Sequence, residues 1–215
     1  MKLKNGFFIT AIDTNIGKTI VSAILVNKFK ANYWKPIQCG VDRNNLSDSQ
    51  VVKKLVIGSS QKIFKESYFF LEPVSPNLAA KKENIKISMS LILNDFKKVE
   101  KPIIVEGAGG VLVPINNKEF VIDLIKVLKL PTIVVAKTSL GTINHTLLTI
   151  NALNIKNQTI YGIIFVGDEN IQVEETILSF SRKIKKNIKN LGRIPVFKKI
   201  TRSNINKLEK YLNFI

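Results

Sequence analysis

Residues Phe7–Thr19 read FFITAIDTNIGKT, and this stretch decides the fold. Its first half is apolar and rich in aromatic and β-branched residues, which predicts a buried strand. Gly17-Lys18-Thr19 follows a polar turn and opens an apolar segment that continues to Val26 with helical periodicity. The order of strand, turn and helix predicts a phosphate-binding loop.

The start of a helix suits phosphate because its N–H groups are unpaired and the helix dipole is positive there. We expect Gly17 to let the backbone approach the phosphates, Lys18 to reach the β and γ phosphates, and the Thr19 hydroxyl to bind Mg²⁺. The usual pattern has another glycine where this chain has Ile12. The alternative interpretation is a capped helix start with an exposed lysine, but the position after the first strand favours phosphate.

The length of 215 residues suits a single domain, residues 1–215. No stretch has the charge-free length of a membrane span, and the first strand begins too early to leave room for a signal peptide. Cys39 is the one cysteine, so no internal disulfide can form. We therefore expect a reducing, cytoplasmic setting and no membrane partner.

The net charge of +17 raises the possibility of nucleic-acid binding. Lysine carries nearly all of this charge, although arginine is better suited to form bidentate hydrogen bonds with bases and phosphates. The lysines are spread along the chain, and the densest run, residues 182–189, fits the solvent side of a helix. We therefore expect no nucleic-acid partner.

Apolar patterns predict strands that alternate with helices along the rest of the chain. Residues 64–84 read as irregular because they contain Pro73 and Pro76, and residues 194–196 read as a short apolar segment. The predicted strands are 33–36, 101–106, 132–136 and 160–166, and the predicted helices are 47–56, 88–99, 120–130, one from Thr142, 173–189 and 203–212. The alternation predicts an α/β fold with a doubly wound, mainly parallel sheet flanked by helices.

Thr19, Asp48 and Glu106 carry the oxygen ligands expected around a Mg²⁺ that bridges β and γ phosphates. Glu106 ends a buried strand, where a carboxylate needs a cation or hydrogen bonds. Asp48 follows Ser47, the predicted N-cap, so its alternative role is to cap that helix. Lys35 would lie beside the phosphate loop and stabilise a transferring phosphoryl group, or else be a surface lysine.

Six motifs occur in one order over most of the chain. They are Asp13-Thr14, Gly17-Lys18-Thr19, Lys35-Pro36, Glu72-Pro73-Val74-Ser75-Pro76, Val105-Glu106-Gly107-Ala108-Gly109-Gly110 and Gly141-Thr142-Ile143-Asn144-His145. Together they resemble the dethiobiotin synthetase family, which has a P-loop NTPase-like fold. Six motifs in register are far more specific than any one of them.

The resemblance implies a homodimeric ligase of biotin synthesis that depends on ATP, or another nucleoside triphosphate, and on Mg²⁺. In that family 7,8-diaminononanoate reacts with CO₂ to give a carbamate, whose oxygen attacks the γ phosphate. The second amine then closes the ureido ring on the mixed anhydride and releases phosphate. Positioning and charge stabilisation should dominate this chemistry, because little acid–base machinery is required.

The resemblance also implies roles for individual residues. Lys18 and Lys35 would be catalytic, and Thr19, Asp48 and Glu106 would hold Mg²⁺. The nucleotide would be bound by Asp13, Asn15, Ile16, Gly17, Lys18, Thr19, Glu106, Gly109 and Gly167. The substrate would be bound by Thr14, Lys35, Cys39, Gly109, Leu140, Gly141 and Asn144.

The implied substrate segment, residues 139–144, opens a helix, and the resemblance places it on the substrate carboxylate across the dimer interface. A helix N-terminus is an anion site, which agrees with that role. The alternative is a plain helix cap with Asn144 on the surface. His145 reads as a structural histidine rather than a catalyst.

Four positions depart from the family pattern. Ala11 stands where a glycine is common, Asn15 replaces an acid, and Cys39 replaces a small residue. Gly167 stands where the family often has an asparagine that reads adenine, so the nucleobase preference stays open. Cys39 lacks an evident base partner, so we do not read it as a nucleophile.

Three other classes compete with this reading. A partitioning or septum-site ATPase usually carries a signature lysine where this chain has Ala11, Ile12 and Asp13, and residues 203–212 lack a basic amphipathic pattern for membranes. The synthetase-like half of a glutamine-dependent amidase would need room for a glutaminase domain. A nucleic-acid binder would leave the Lys35-Pro36 and Glu106-Gly107 motifs unexplained.

Overall fold

The structure is a computed structural model that describes residues 3–197 and 199–214. Its strands are β1 (Gly6–Ala11), β2 (Asn32–Trp34), β3 (Ile37–Cys39), β4 (Ile63–Phe64), β5 (Tyr68–Phe70), β6 (Ile103–Glu106), β7 (Thr132–Lys137), β8 (Ile160–Val166) and β9 (Lys189–Ile194). Its α-helices are α1 (Lys18–Phe29), α2 (Asp48–Leu55), α3 (Pro76–Lys82), α4 (Met89–Lys98), α5 (Val121–Leu128), α6 (Thr142–Ile155) and α7 (Ile171–Ile184), and a 3₁₀ helix spans Ile205–Tyr211.

Seven strands form one sheet in the order β4-β2-β6-β1-β7-β8-β9, and every neighbouring pair is parallel. Strands β3 and β5 form a separate parallel pair. The predicted α/β fold with a doubly wound, mainly parallel sheet is therefore confirmed.

The central strand β1 is buried on both faces, which explains why its sequence is almost continuously apolar. Phe7 and Ile9 belong to the core on the α1 side, together with Ile24 of that helix. Phe8 belongs to the core on the opposite face, where Ile125 of α5 also packs. Helices thus cover both faces of the sheet, and ligands of such folds lie at the carboxyl ends of the strands.

Several predicted elements need correction. Residues 64–84 were predicted to be irregular, but they contain β5 and α3. Pro76 is tolerated in the first turn of α3, because the backbone N–H that proline lacks has no partner within the helix at that position. The second strand ends at Trp34, before the proline. The basic helix ends at Ile184 rather than at Lys189, and Lys189–Ile194 forms the edge strand β9. The terminal helix is 3₁₀ rather than α.

The helices in residues 3–197 and 199–214 include none with both the length and the apolar character that crossing a membrane requires.

Candidate active site

The phosphate loop connects β1 to α1. Asn15 and Gly17 both have positive φ, 54° and 101°, so the chain turns sharply before the helix begins. Gly17 is the N-cap residue of α1, a position where its φ suits glycine. The ammonium of Lys18 is buried and donates to the backbone oxygen of Asp13 at 2.9 Å. This hydrogen bond joins the end of the loop to its beginning.

Glu106 lies at the carboxyl end of β6 and is the centre of a buried polar cluster. Its side chain is 1% exposed. The Thr19 hydroxyl donates to Oε1 of Glu106 at 2.9 Å, and Lys35 Nζ lies 3.2 Å from the same oxygen. Lys35 Nζ also lies 2.6 Å from Oδ2 of Asp48. The structure therefore brings the three predicted metal ligands and Lys35 together.

Two further residues of the cluster were missed by the sequence analysis. Tyr33 is fully buried in β2 and donates from its hydroxyl to Oε2 of Glu106 at 2.9 Å. Gln38 of β3 accepts from the backbone N–H of Asp48 at 3.2 Å and donates to the Gly40 oxygen at 2.7 Å. Strand alternation was a signal for Tyr33, because residues two apart in extended chain face the same way and Lys35 was already a candidate.

The predicted N-cap of α2 is present. Ser47 accepts from the backbone N–H of Gln50, and the Gln50 side chain accepts from the backbone N–H of Ser47, which completes a capping box. Ser47 therefore caps the helix, and the Asp48 carboxylate is directed to Lys35 instead.

Burial and charge shift several pKa values in the cluster. Burial, with the nearby charge of Lys35, lowers the pKa of Lys18 to about 8. Burial alone would lower the pKa of Lys35, but the carboxylates of Glu106 and Asp48 outweigh it and raise that pKa above its usual value. Burial opposes ionisation of Asp48, yet Lys35 holds its pKa below the usual range. Burial and the Glu106 charge raise the pKa of Tyr33, which keeps its hydroxyl a donor.

A cleft of about 670 Å³, here called the main cleft, lies on one side of the phosphate loop. Four of the seven predicted substrate residues line it. Burial raises the pKa of the Cys39 thiol to about 11, so its thiolate is scarce at neutral pH. Predicted residues that line the main cleft are Thr14, Asn15, Gly17, Lys18, Thr19, Lys35, Cys39, Asp48, Glu106 and Gly109.

A second cleft of about 490 Å³ lies on the other side of Gly17. Predicted nucleotide residues Asn15, Ile16 and Gly167 line it, together with Thr138 and Asp168. Gly167 has a φ of 137°, and its N–H donates to the Ile194 oxygen at 3.0 Å. The phosphate loop therefore separates two clefts, each of which contains part of the predicted nucleotide site.

Leu140, Gly141 and Asn144 are not brought to either cleft and lie exposed at the start of α6. Gly141 is the N-cap of this helix, with a φ of 87°. Asp13 is also exposed, and its carboxylate accepts from the Thr14 backbone N–H at 2.7 Å. Within one chain these four residues do not join the cluster around Glu106.

The cluster suits a divalent cation. Two carboxylates and a hydroxyl are the oxygen ligands that Mg²⁺ prefers, and in the structure the Lys35 ammonium supplies positive charge between the carboxylates. No group of three or more His, Cys, Asp and Glu side chains able to hold a metal occurs within residues 3–197 and 199–214. One or two carboxylates together with phosphate and water are a common ligand set for Mg²⁺.

The parallel sheet, the loop after β1, the buried Lys18 and the Thr19 hydroxyl define a P-loop NTPase-like protein. The family described as "AAA domain" matches residues 5–204. The fold is similar to a ParA family ATPase of Chlorobium tepidum, with a TM-score of 0.55 and 12% identity over 96% of this chain and 95% of that one. It is also similar to a MinC:MinD cell division complex chain of Aquifex aeolicus, with a TM-score of 0.54 and 16% identity over 95% and 86%.

Curated relatives narrow this class. The chain is 36% identical to the ATP-dependent dethiobiotin synthetase BioD of Agrobacterium fabrum, over 91% of this chain and 88% of that protein. It is also 36% identical to the protein of the same name from Nitrobacter hamburgensis, over 92% and 89%. The chain belongs to the ATP-dependent dethiobiotin synthetase family.

Proposed function

We propose that this chain, acting as one domain, closes the ureido ring of dethiobiotin from 7,8-diaminononanoate, CO₂ and a nucleoside triphosphate. The observation that carries the proposal is the convergence of Lys18, Lys35, Thr19, Asp48 and Glu106 beside the phosphate loop at the main cleft. In the reaction one amine of the substrate adds to CO₂ and loses a proton to give a carbamate. The carbamate oxygen then attacks the γ phosphorus and displaces the nucleoside diphosphate, which gives a carbamic–phosphoric mixed anhydride. The second amine attacks the carbonyl carbon of this anhydride and loses a proton, the C–O bond to the phosphate breaks, and phosphate leaves.

The triphosphate binds to the phosphate loop between the two clefts. The N–H groups at the start of α1 and the Lys18 ammonium hold the β and γ phosphates, and the base lies in the second cleft beside Gly167. This orientation leaves the γ phosphate at the main cleft. It is supported by the position of Gly17, which lines both clefts.

Thr19, Asp48 and Glu106 would hold Mg²⁺, which supplies charge neutralisation to the β and γ phosphates when it is bound. The hydrogen bond from Thr19 to Glu106 already places two of these ligands side by side. Lys35 stays an ammonium because its pKa is raised, so it can stabilise negative charge as the carbamate oxygen attacks the γ phosphate.

The substrate lies in the main cleft against Thr14, Cys39 and Gly109. Leu140, Gly141 and Asn144 are exposed and lie apart from this cleft, which supports a role across a homodimer interface. The N-terminus of α6 in one subunit would bind the substrate carboxylate held in the cleft of the other. The enzyme would work in the cytoplasm, without a nucleic-acid or membrane partner.

Phosphate release tests the reaction. Purified protein is given Mg²⁺ and ATP or GTP, with and without the diamine and bicarbonate, and dethiobiotin is measured by mass spectrometry. We expect release to require the diamine and to match dethiobiotin in amount. Release that ignores the diamine but rises with DNA or lipid would instead establish a regulatory ATPase, the activity class of the ParA fold neighbour.

A further inference from the structure

Tyr33 is a buried side chain to which the proposed reaction gives no role. It lies in the middle of β2 and is fully buried, and its hydroxyl donates to Oε2 of Glu106 at 2.9 Å. A tyrosine hydroxyl in a core needs a partner, and here the partner is a carboxylate of the cluster rather than a backbone oxygen.

The two oxygens of Glu106 have different kinds of partner. Oε1 is bonded by Thr19 and Lys35, the side chains that the proposed function directs to the metal and to the reacting groups. Oε2 is bonded by Tyr33, which has no such role. If Thr19 and Lys35 bind the metal and the reacting groups as proposed, Oε1 would be freed, while the hydrogen bond from Tyr33 would still satisfy Oε2 in the core.

The backbone that carries Tyr33 is fixed by the sheet. Tyr33 is paired with Ile104 of β6, two residues before Glu106, and its N–H donates to the Lys62 oxygen at 2.9 Å. The ring is enclosed by the core on the α1 side. The position of the hydroxyl is therefore set by the strand register, not by a mobile loop.

We propose that Tyr33 is a positioning residue that holds Oε2 of Glu106 and thereby presents Oε1 to the divalent cation beside Thr19. This inference rests on the proposed function of Glu106 as a metal ligand. Tyr33 itself would contact neither metal nor substrate, because its hydroxyl bonds Oε2 of Glu106 and it lines neither cleft. Loss of a group that orients a metal ligand in this way typically weakens metal binding by about 10-fold to 100-fold.

The test is Tyr33→Phe, which removes the hydroxyl and keeps the ring. Mn²⁺ replaces Mg²⁺ as the probe, and its binding is measured by electron paramagnetic resonance with the β,γ-methylene analogue of ATP. We expect the variant to bind Mn²⁺ about 10-fold to 100-fold more weakly than the wild type. Binding of the analogue without metal should be unchanged, because Tyr33 lines neither cleft.

Tyr68→Phe is the matched control. The Tyr68 hydroxyl accepts from the Ser88 backbone N–H at 2.9 Å, so the variant loses a comparable hydrogen bond away from Glu106. We expect its Mn²⁺ affinity to match that of the wild type. Equal Mn²⁺ affinity in Tyr33→Phe and Tyr68→Phe would overturn the inference.

Glu106→Gln separates this inference from the proposed function. If Glu106→Gln binds Mn²⁺ as the wild type does, Glu106 is not a ligand, and both proposals about this residue are wrong. If Glu106→Gln weakens Mn²⁺ binding and Tyr33→Phe does not, the positioning role alone is wrong. Should Tyr33→Phe not fold, the wild type still decides: the Tyr33 hydroxyl proton must remain slowly exchanging by NMR in the Mg²⁺ and analogue complex, and fast exchange there rejects the role.

Discussion

The two clefts beside the phosphate loop are built by different means. At the main cleft, Lys18, Lys35, Asp48 and Glu106 are charged, largely buried side chains that pair with one another or with backbone. At the second cleft, a backbone hydrogen bond from the Gly167 N–H to the Ile194 oxygen holds the chain at Gly167, and the charged lining residues Asp168 and Glu169 are exposed. Buried charged pairs thus mark the main cleft, whereas the second cleft contains a backbone conformation at Gly167 that only a few residue types adopt.

This difference predicts different consequences of substitution. A change at the main cleft alters charge next to the reacting groups, so it should change rate and metal binding more than folding. A change at the second cleft alters a backbone conformation, so it should change stability first.

The largest effect is expected from Lys18→Ala and from Lys35→Ala, made separately. Each removes a positive charge that we propose faces the phosphates or the carbamate, so kcat/KM for the triphosphate should fall by about 10²-fold to 10³-fold or more. The measurement is dethiobiotin formation at saturating diamine. Lys53→Ala, at an exposed position of α2, is the control and should retain wild-type activity. Intact turnover in either cleft variant, with the protein folded, would show that the lysine is not catalytic.

Gly167→Asn tests the second cleft by introducing the asparagine common in the family. The φ of Gly167 is 137°, and a Cβ there would overlap the Thr138 hydroxyl oxygen. We expect the free energy of unfolding to fall by about 2 kcal/mol, which lowers Tm by about 4–8 °C. We expect no gain in preference for ATP over other nucleoside triphosphates. Thermal unfolding and nucleotide competition measure the two effects.

Gly141→Asn is the matched control for that variant. Gly141 also has a positive φ, 87°, but no atom lies within 4 Å of the position that its Cβ would take. Asparagine tolerates this region better than most residues do, so Tm should fall less than in Gly167→Asn. Equal decreases in Tm in the two variants would mean that the Thr138 side chain moves to make room for the new side chain at position 167.

A pH profile tests the charge on the main-cleft side. The pKa of Lys18 is lowered to about 8, so its ammonium loses a proton as pH rises through that value in the free enzyme. We expect kcat/KM for the triphosphate to fall above about pH 8, approaching tenfold per pH unit, because kcat/KM reports on the free enzyme. Lys35 adds no fall in this range, since its pKa is raised.

Lys18→Arg is the control for the profile. The guanidinium stays charged throughout the range, so this variant should be less active overall but should lack the fall near pH 8. If kcat/KM for the triphosphate still falls near pH 8 in Lys18→Arg, a group other than Lys18 causes the fall.

The features predicted correctly from the sequence are those that a few neighbouring residues determine. Strand, turn and helix around Gly17, and the acid at the end of the strand before Gly107, are readable because the signal lies within a few residues. The sheet was predictable from alternation of elements. The edge strand β9 was missed because its sequence, KNLGRI, is polar and continues a basic helical run.

The partners within the cluster were harder to predict. Tyr33 and Glu106 are 73 residues apart, and Gln38 reaches Asp48 through a side chain that has no charge. Such contacts follow from sheet register and from the path of the chain after β2, neither of which a single sequence specifies. Prediction therefore identified the charged groups but not the uncharged side chains that form hydrogen bonds with them.

The smallest effect is expected from Cys39→Ser. Cys39 lines the main cleft but, among the described residues, takes no part in the charged pairs around Glu106, and burial raises the pKa of its thiol to about 11. Because the thiolate is scarce at neutral pH, alkylation by iodoacetamide should be slow, and bound substrate should slow it further. The serine variant should keep kcat within about twofold, since it changes one atom outside the set of groups that hold phosphate and metal. A large loss of kcat with unchanged KM would place the thiol among the reacting groups and would extend the chemistry of the main cleft beyond its lysines and carboxylates.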